Sequence, residues 1–228
     1  MINFSIVVPA LNEKTNIENL LHEIFKVINE SPYKFEAIFI LGNKEDLVFN
    51  ETYENIHFIN RKQENFASAL LQGINSSKIN FIITMDCDGS HSFQEIHKHL
   101  DYFLNNNLDI MTFSRYKKSA KNNEKYFNVL LSRFLNRSLR IFSPIKLSDY
   151  TNNLRIFKKS IIYNEQYVSQ HFEFLYEVLN KAYRENPQLK FKEVPTVHLK
   201  RKSGVSKKNH LYYIVKYFYL VIKLKINK

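Results

Sequence analysis

Apolar positions along the chain follow two alternating rhythms. Residues 3–8 form a compact apolar run closed by Pro9, which predicts a buried strand. Ile17, Leu20, Leu21, Ile24, Phe25 and Ile28 then recur three and four apart, which predicts a one-faced helix. Strands are predicted again at 35–41 and 56–60, with a short helix at 67–76. Residues 79–85 are the strongest strand in the chain, apolar on both faces. Helical spacing returns over 93–104, followed by a strand at 108–113. The second half is less regular. It holds a basic helix at 122–142, a short strand at 154–157 and a helix at 171–184. A strand over 190–199, interrupted by Pro195, and a last helix at 211–226 complete it.

Fully apolar strands alternating with helices predict an α/β fold: a mostly parallel sheet covered by helices on both faces. Crossovers are then right-handed, and ligands sit at the carboxyl ends of the strands. The residues just after Val8, Leu41, Met85 and Phe113 should line one crevice.

Composition narrows the class. The 228 residues are 44% hydrophobic with only 4 Gly and 5 Pro, which excludes a disordered, collagen-like or linker chain. A single Cys excludes a disulfide framework and a Cys-rich zinc site. The apolar run at the start is short and has no basic leader, so the expected location is cytoplasmic. The net charge of +11 is unevenly spread. Residues 1–110 hold 8 Lys/Arg against 15 Asp/Glu, and residues 111–228 hold 25 against 7. The second half therefore suits an anionic partner: nucleic acid, a phosphate-rich small molecule or an anionic membrane. Lysine kept for solubility is the plain alternative. Nucleic acid is set aside, because no binding motif is present and the first half is acidic.

The most informative residues are Asp86-Cys87-Asp88, directly after the strongest strand. In an extended segment, positions two apart face the same side, so both carboxylates project into the crevice with Cys87 turned away. Two like charges this close repel unless a cation lies between them. A hard divalent ion, Mg²⁺ or Mn²⁺, suits such a pair, with water and substrate phosphates completing its shell. A surface turn with two solvated Asp residues is the bland alternative.

Pro9-Ala10-Leu11-Asn12-Glu13 with Asn16, and Met85-Asp86-Cys87-Asp88-Gly89-Ser90-His91, resemble motifs of the family 2 glycosyltransferases. Further motifs come in the order found in dolichol-phosphate mannose synthases and bacterial polyprenyl-phosphate sugar transferases. They are Ser114-Arg115-Tyr116, Ser132-Arg133 with Asn136, Ser148-Asp149-Tyr150-Thr151-Asn152-Asn153-Leu154-Arg155, Glu193-Val194-Pro195 and Arg201-Lys202-Ser203-Gly204-Val205-Ser206-Lys207. The resemblance covers about residues 3–210 and implies a GT-A-type, Rossmann-like domain over 1–210. It also implies a nucleotide-diphosphate sugar donor and a polyprenyl phosphate acceptor. By family position Asp86, Asp88 and Ser90 would hold the metal, and Arg115, Arg133, Arg201 and Lys207 would meet phosphates. Pro9, Leu11, Glu13, Leu41, Ala67 and Cys87 would surround the donor, and Asp149 and Arg155 would lie near the acceptor. An Asp149–Arg155 ion pair bracing a turn is the structural alternative.

A sugar departing from a diphosphate leaves negative charge behind, and preorganised positive charge stabilises it. A lipid phosphate is already ionised, so it attacks without a general base. The chain departs from the family in the second strand, where two Asp residues are replaced by Leu41-Gly42, and in a glycine-rich turn that reads Asn65-Phe66-Ala67-Ser68-Ala69. These changes imply altered donor choice, or a catalytically inactive module that binds nucleotide sugar or lipid phosphate. Transfer to a glycan hydroxyl is a further alternative.

Residues 200–228 hold nine Lys/Arg and no acid. On a helix over 211–228, Tyr212, Lys216, Tyr219 and Lys223 form a stripe, and Leu211, Ile214, Val215, Phe218, Val221 and Ile222 cover the rest. Lys216, Lys223 and Lys225 interrupt any membrane span. This amphipathic basic helix is expected to lie on the inner face of an anionic membrane, to dock on a membrane-embedded partner, or to pack on the core.

Overall fold

The computed structural model describes residues 3–11, 13–42, 55–63, 65–162, 167–201 and 210–226. In chain order the first half runs β1 (Asn3–Pro9), α1 (Lys14–Ile28), β2 (Lys34–Leu41), β3 (Ile56–Asn60), α2 (Phe66–Ser76), β4 (Phe81–Thr84), α3 (Phe93–His97), α4 (Leu100–Asn105) and β5 (Ile110–Ser114). The second half runs β6 (Lys121–Asn122), α5 (Tyr126–Phe142), β7 (Arg155–Lys158), a 3₁₀ turn (Lys159–Ile161), α6 (Phe174–Glu185), β8 (Phe191–Pro195), β9 (Val197–His198) and α7 (His210–Ile226).

Seven strands form one sheet in the order β3-β2-β1-β4-β7-β5-β8. All neighbours are parallel except β7, which runs antiparallel to both β4 and β5. The expected α/β sheet is therefore present, with one reversed strand. That reversal matters for the site. The amino end of β7, where Arg155 pairs with Thr84 and Thr112, lies at the carboxyl ends of β4 and β5. The segment leading into β7 thus reaches the crevice.

Alternation along the strands divides the core into two layers. Phe4, Ile6 and Val8 of β1 join α1, α3 and α4 on one face, with Ile83, Met111 and Ile156 of the other strands. Val7, Ile82, Ile110 and Phe157 face α2, α5, α6 and α7 on the other. At Gly73 of α2, helix and sheet approach closely. A Cβ there would overlap Val7 Cγ1 and stand 3.2 Å from Ile40 Cγ1. Gly73→Ala is expected to destabilise the fold by about 1–3 kcal/mol in urea unfolding, because a packed core does not yield to added volume.

Some boundaries differ from the sequence expectation. The helical spacing over 93–104 is divided into α3 and α4, with the break at Lys98 and His99. The basic helix starts at Tyr126 rather than 122, because Lys121 and Asn122 pair with Val197 and His198 instead. Pro195 ends β8, and the chain resumes pairing two residues later in β9.

Candidate functional site

The site is built where β4 ends. Gly89 has φ 77°, a left-handed conformation that glycine adopts without a Cβ penalty. This turn returns the chain onto Asp88. Asp88 Oδ1 accepts from Ser90 N at 3.0 Å and from Ser90 Oγ at 2.5 Å. Burial pushes the Asp88 carboxyl up, but the Ser90 hydrogen bonds and nearby positive charge outweigh it and hold it below its ordinary value. Asp86 Oδ1 accepts from Asn153 Nδ2 at 3.0 Å. The backbone N of Asp86 donates to His91 Nδ1 at 3.1 Å, which fixes the neutral tautomer with its proton on Nε2. Burial holds His91 below the usual imidazole value, and its Nε2 has no hydrogen-bond partner among the described residues. Burial, with Glu13, Asp86 and Asp88 nearby, pushes the Cys87 thiol well up, so it stays protonated.

Asp86 and Asp88 form one wall of a cavity of about 310 Å³. Pro9, Leu11 and Glu13 from the end of β1 line it, as do Phe66 and Ala69 of α2. Arg61, Arg201, Phe172 and Tyr213 complete much of the remainder. Arg201 bridges two acids. One guanidinium nitrogen donates to Glu13 and another stands 3.4 Å from Asp88 Oδ2. Asn16 donates to the second Glu13 oxygen, so Glu13 is fixed at the mouth of α1. Three carboxylates and two guanidiniums thus face the cavity. Such a lining, net negative, receives a diphosphate only if further positive charge comes with it. The donor set suits a hard divalent cation: two carboxylates on one wall, each oriented by a neighbour, with open space for water and phosphate oxygens.

A second cluster lies beyond β5. Arg115 is buried, with Nε 2.8 Å and Nη2 3.0 Å from the two Asp149 oxygens. Burial opposes the guanidinium's charge, but Asp149 outweighs it and holds Arg115 above its ordinary value. Burial likewise pushes Asp149 up, and Arg115 pulls it below the usual carboxylate range. Glu193 orients the same segment, accepting from Ser148 N at 2.8 Å and Asp149 N at 3.0 Å. Arg115 also borders a small slot of about 70 Å³ between α5 and α7, lined by Ser132, Thr151, Tyr213 and Tyr217. Phe172 and Tyr213 border both the slot and the larger cavity.

The other sequence candidates are distributed as follows. Pro9, Leu11, Glu13, Cys87 and Arg201 line the cavity with the paired acids. Leu41 is buried in the core at the end of β2, and Ala67 is buried on α2, its backbone N donating to Gln170 O at 3.0 Å. Arg155 donates to the carbonyls of Asn152 at 3.1 Å and of Leu175 and Tyr150 at 2.8 Å. Burial lowers its pKa to about 10, and the partner of Asp149 is Arg115. Arg133 is exposed on α5, 5.5 Å from the Tyr116 ring centre. Lys207 lies outside the described residues, as do 43–54 beyond β2. Arg61, Phe172 and Tyr213 went unremarked in the sequence. They are far apart in the chain, and only the strand order and the packing of α7 bring them together.

One surface stands apart. Helix α7 buries Tyr217, Leu220, Val221 and Leu224 in the second core layer, yet Tyr212, Val215, Tyr219, Ile222 and Ile226 are exposed. Helix α5, packed beside it, exposes Tyr126, Phe127, Leu130, Phe134 and Ile141. Arg133, Arg137 and Arg140 are exposed on α5 and Lys225 on α7, and neither helix carries an acid. No described helix is long and apolar enough to cross a membrane.

The family profile described as Glycosyl transferase family 2 matches residues 5–165. The chain is 26% identical over 213 residues to the dolichol-phosphate mannosyltransferase of Pyrococcus furiosus, covering 89% of this chain and 58% of that protein. It is 24% identical over 214 residues to the dodecaprenyl-phosphate galacturonate synthase of Rhizobium johnstonii, covering 90% of this chain and 62% of that protein. The chain thus spans less than two thirds of either relative's length. Among solved structures, glucosyl-3-phosphoglycerate synthase from Mycobacterium tuberculosis with Mn²⁺ and UDP-glucose is similar in fold. The TM-score is 0.68 at 12% identity, covering 96% of this chain and 77% of that one.

Proposed function

The chain belongs to glycosyl transferase family 2, and from that premise we propose that it moves a sugar from a nucleotide diphosphate to a polyprenyl phosphate with inversion. One observation carries the donor half: a net negative cavity in which Asp86 and Asp88 share a wall and Arg201 pairs with Asp88. Asp86 and Asp88 would hold Mg²⁺ or Mn²⁺, with Ser90 and Asn153 fixing their carboxylates. When bound, the cation supplies Lewis acidity to the diphosphate. Arg201, held between Glu13 and Asp88 on the same cavity, would meet the phosphates of the leaving group.

The acceptor half rests on the similarity to polyprenyl-phosphate enzymes and on the slot between α5 and α7. A phosphate oxygen forms the new bond to the anomeric carbon as the bond to the diphosphate oxygen breaks. No proton need be removed from an ionised phosphate, so no general base is required. Ser132 offers a hydroxyl at the slot, which Glu124 and the Asp149-paired Arg115 also border. The apolar faces of α5 and α7 would rest on an anionic bilayer, since the partner must be apolar in depth and negative at its surface. In this proposal the catalytic unit, residues 1–210, sits on the inner face of a membrane and α7 (His210–Ile226) forms part of its docking surface. The double variant F134E/I222E is expected to lose about tenfold or more in sedimentation with phosphatidylserine-containing vesicles, at unchanged stability.

A second reading is binding without transfer. It is favoured by Arg201, which brings positive charge to Asp88 from the chain itself. Incubation with labelled GDP- and UDP-sugars, Mn²⁺ and polyprenyl phosphate separates the two. Label in the organic phase supports transfer. Retained nucleotide without product from any common donor overturns it.

A further inference from the structure

The donor reading leaves one cation in the cavity without a task. Arg61 follows β3, and its backbone is held on all sides. Arg61 N donates to Leu41 O at 2.9 Å, Lys62 N donates to Gln72 Oε1 at 2.9 Å, and Gln72 Nε2 donates to Asn60 O at 2.9 Å. The side chain lines the cavity, yet its Nε is buried and has no hydrogen-bond partner among the described residues. An orphaned guanidinium donor carries a desolvation cost, which a turn of the side chain toward an acceptor in the cavity would relieve.

Position indicates which ligand group that is. In the order β3-β2-β1-β4, three strand spacings of about 4.8 Å separate the end of β3 from the paired acids. A nucleotide with its phosphates at Asp86 and Asp88 would lay its base toward Arg61. The described chain offers no acid at this end. Leu41 is apolar, and a Cβ at Gly42 would come within 2.6 Å of Leu11 Cδ1 and 3.6 Å of Arg61 Nη2. A side chain at 42 therefore cannot stand there without displacing Leu11. A guanidinium donates hydrogen bonds and accepts none, and its fork matches two neighbouring acceptors.

We propose that Arg61 selects the donor by reading a nucleobase edge with two adjacent acceptors: O6 and N7 of guanine, or N3 and O2 of cytosine. Uracil places an N–H between its two carbonyls, and adenine sets an amine beside N7, so neither satisfies the fork. This inference rests on the nucleotide-sugar reading of the same cavity. It makes Arg61 a specificity-determining residue.

The test is calorimetric titration of the full chain with GDP, CDP, UDP and ADP at fixed Mn²⁺. GDP or CDP is expected to bind roughly tenfold or more tightly than UDP and ADP. R61K keeps the charge and loses the fork, so the ratio should fall to within about threefold while Mn²⁺-dependent binding persists. Circular dichroism checks that R61K is folded. Equal binding of all four nucleotides, tighter binding of UDP, or a preference that R61K leaves intact overturns the proposal while sparing the donor reading. Failure of all four to bind with Mn²⁺ overturns both.

Discussion

Replacing Asp88 by asparagine is expected to lower sugar transfer by roughly a hundred- to a thousandfold, the loss typical when one stabiliser of developing charge is removed. The variant isolates charge from structure. Asparagine keeps a side-chain oxygen in place of Oδ1, so Ser90 N and Ser90 Oγ retain their acceptor. The turn at Gly89 is preserved, and unfolding in urea should shift by no more than about 1 kcal/mol. What disappears is one of the two negative charges proposed to hold the divalent cation. Asp88→Ala should be equally inactive, with a larger stability loss because the Ser90 hydroxyl loses its acceptor. Transfer assays across a Mn²⁺ series check both. Transfer by D88N within threefold of the parent would remove Asp88 from the donor site.

Asp149→Asn is expected to have the largest effect on stability. Asp149 and Arg115 are only 1% and 8% exposed, and two guanidinium nitrogens of Arg115 donate to the carboxylate. Removing one charge leaves the other buried with little compensation. Glu124, at 3.7 Å, is the remaining acid beside Arg115. Breaking a buried pair in this way costs about 3–5 kcal/mol. The pair also sets an acid limit. The folded Asp149 carboxyl titrates below the unfolded one, near pH 4. Its stabilisation is therefore present above that pH and lost as pH falls through the lower, folded value. Urea unfolding from pH 7 downward should show the parent losing stability below about pH 4. D149N should start lower and show a shallower acid slope.

Much of the sheet was legible because its strands are buried on both faces and read as continuous apolar runs. The same feature concealed the direction of β7. A four-residue buried strand such as Arg155–Lys158 looks the same whether it runs parallel or antiparallel. The paired acids were legible from their place after the strongest strand, and Ser90 only from the family motif it shares. The partner of Asp149 was not, since Arg115 stands 34 positions away and no local spacing joins them. Arg155 illustrates a motif residue whose neighbours decide its surroundings: three carbonyls enclose it. The C-terminal helix posed a choice between core and surface. Its two apolar faces resolve it, one packed under Leu220 and Leu224, the other exposed at Val215 and Ile222. Periodicity alone shows breadth of apolar character, and only packing divides it between the two roles.

Asp86 and Asp88 are proposed to hold a divalent cation against a nucleoside diphosphate. Crystals grown with Mn²⁺ and the tightest-binding nucleotide, measured at the manganese absorption edge, test it most directly. One anomalous peak in contact with both carboxylates and a diphosphate oxygen is expected. No peak there, with nucleotide bound and Arg201 still against Asp88, would contradict it.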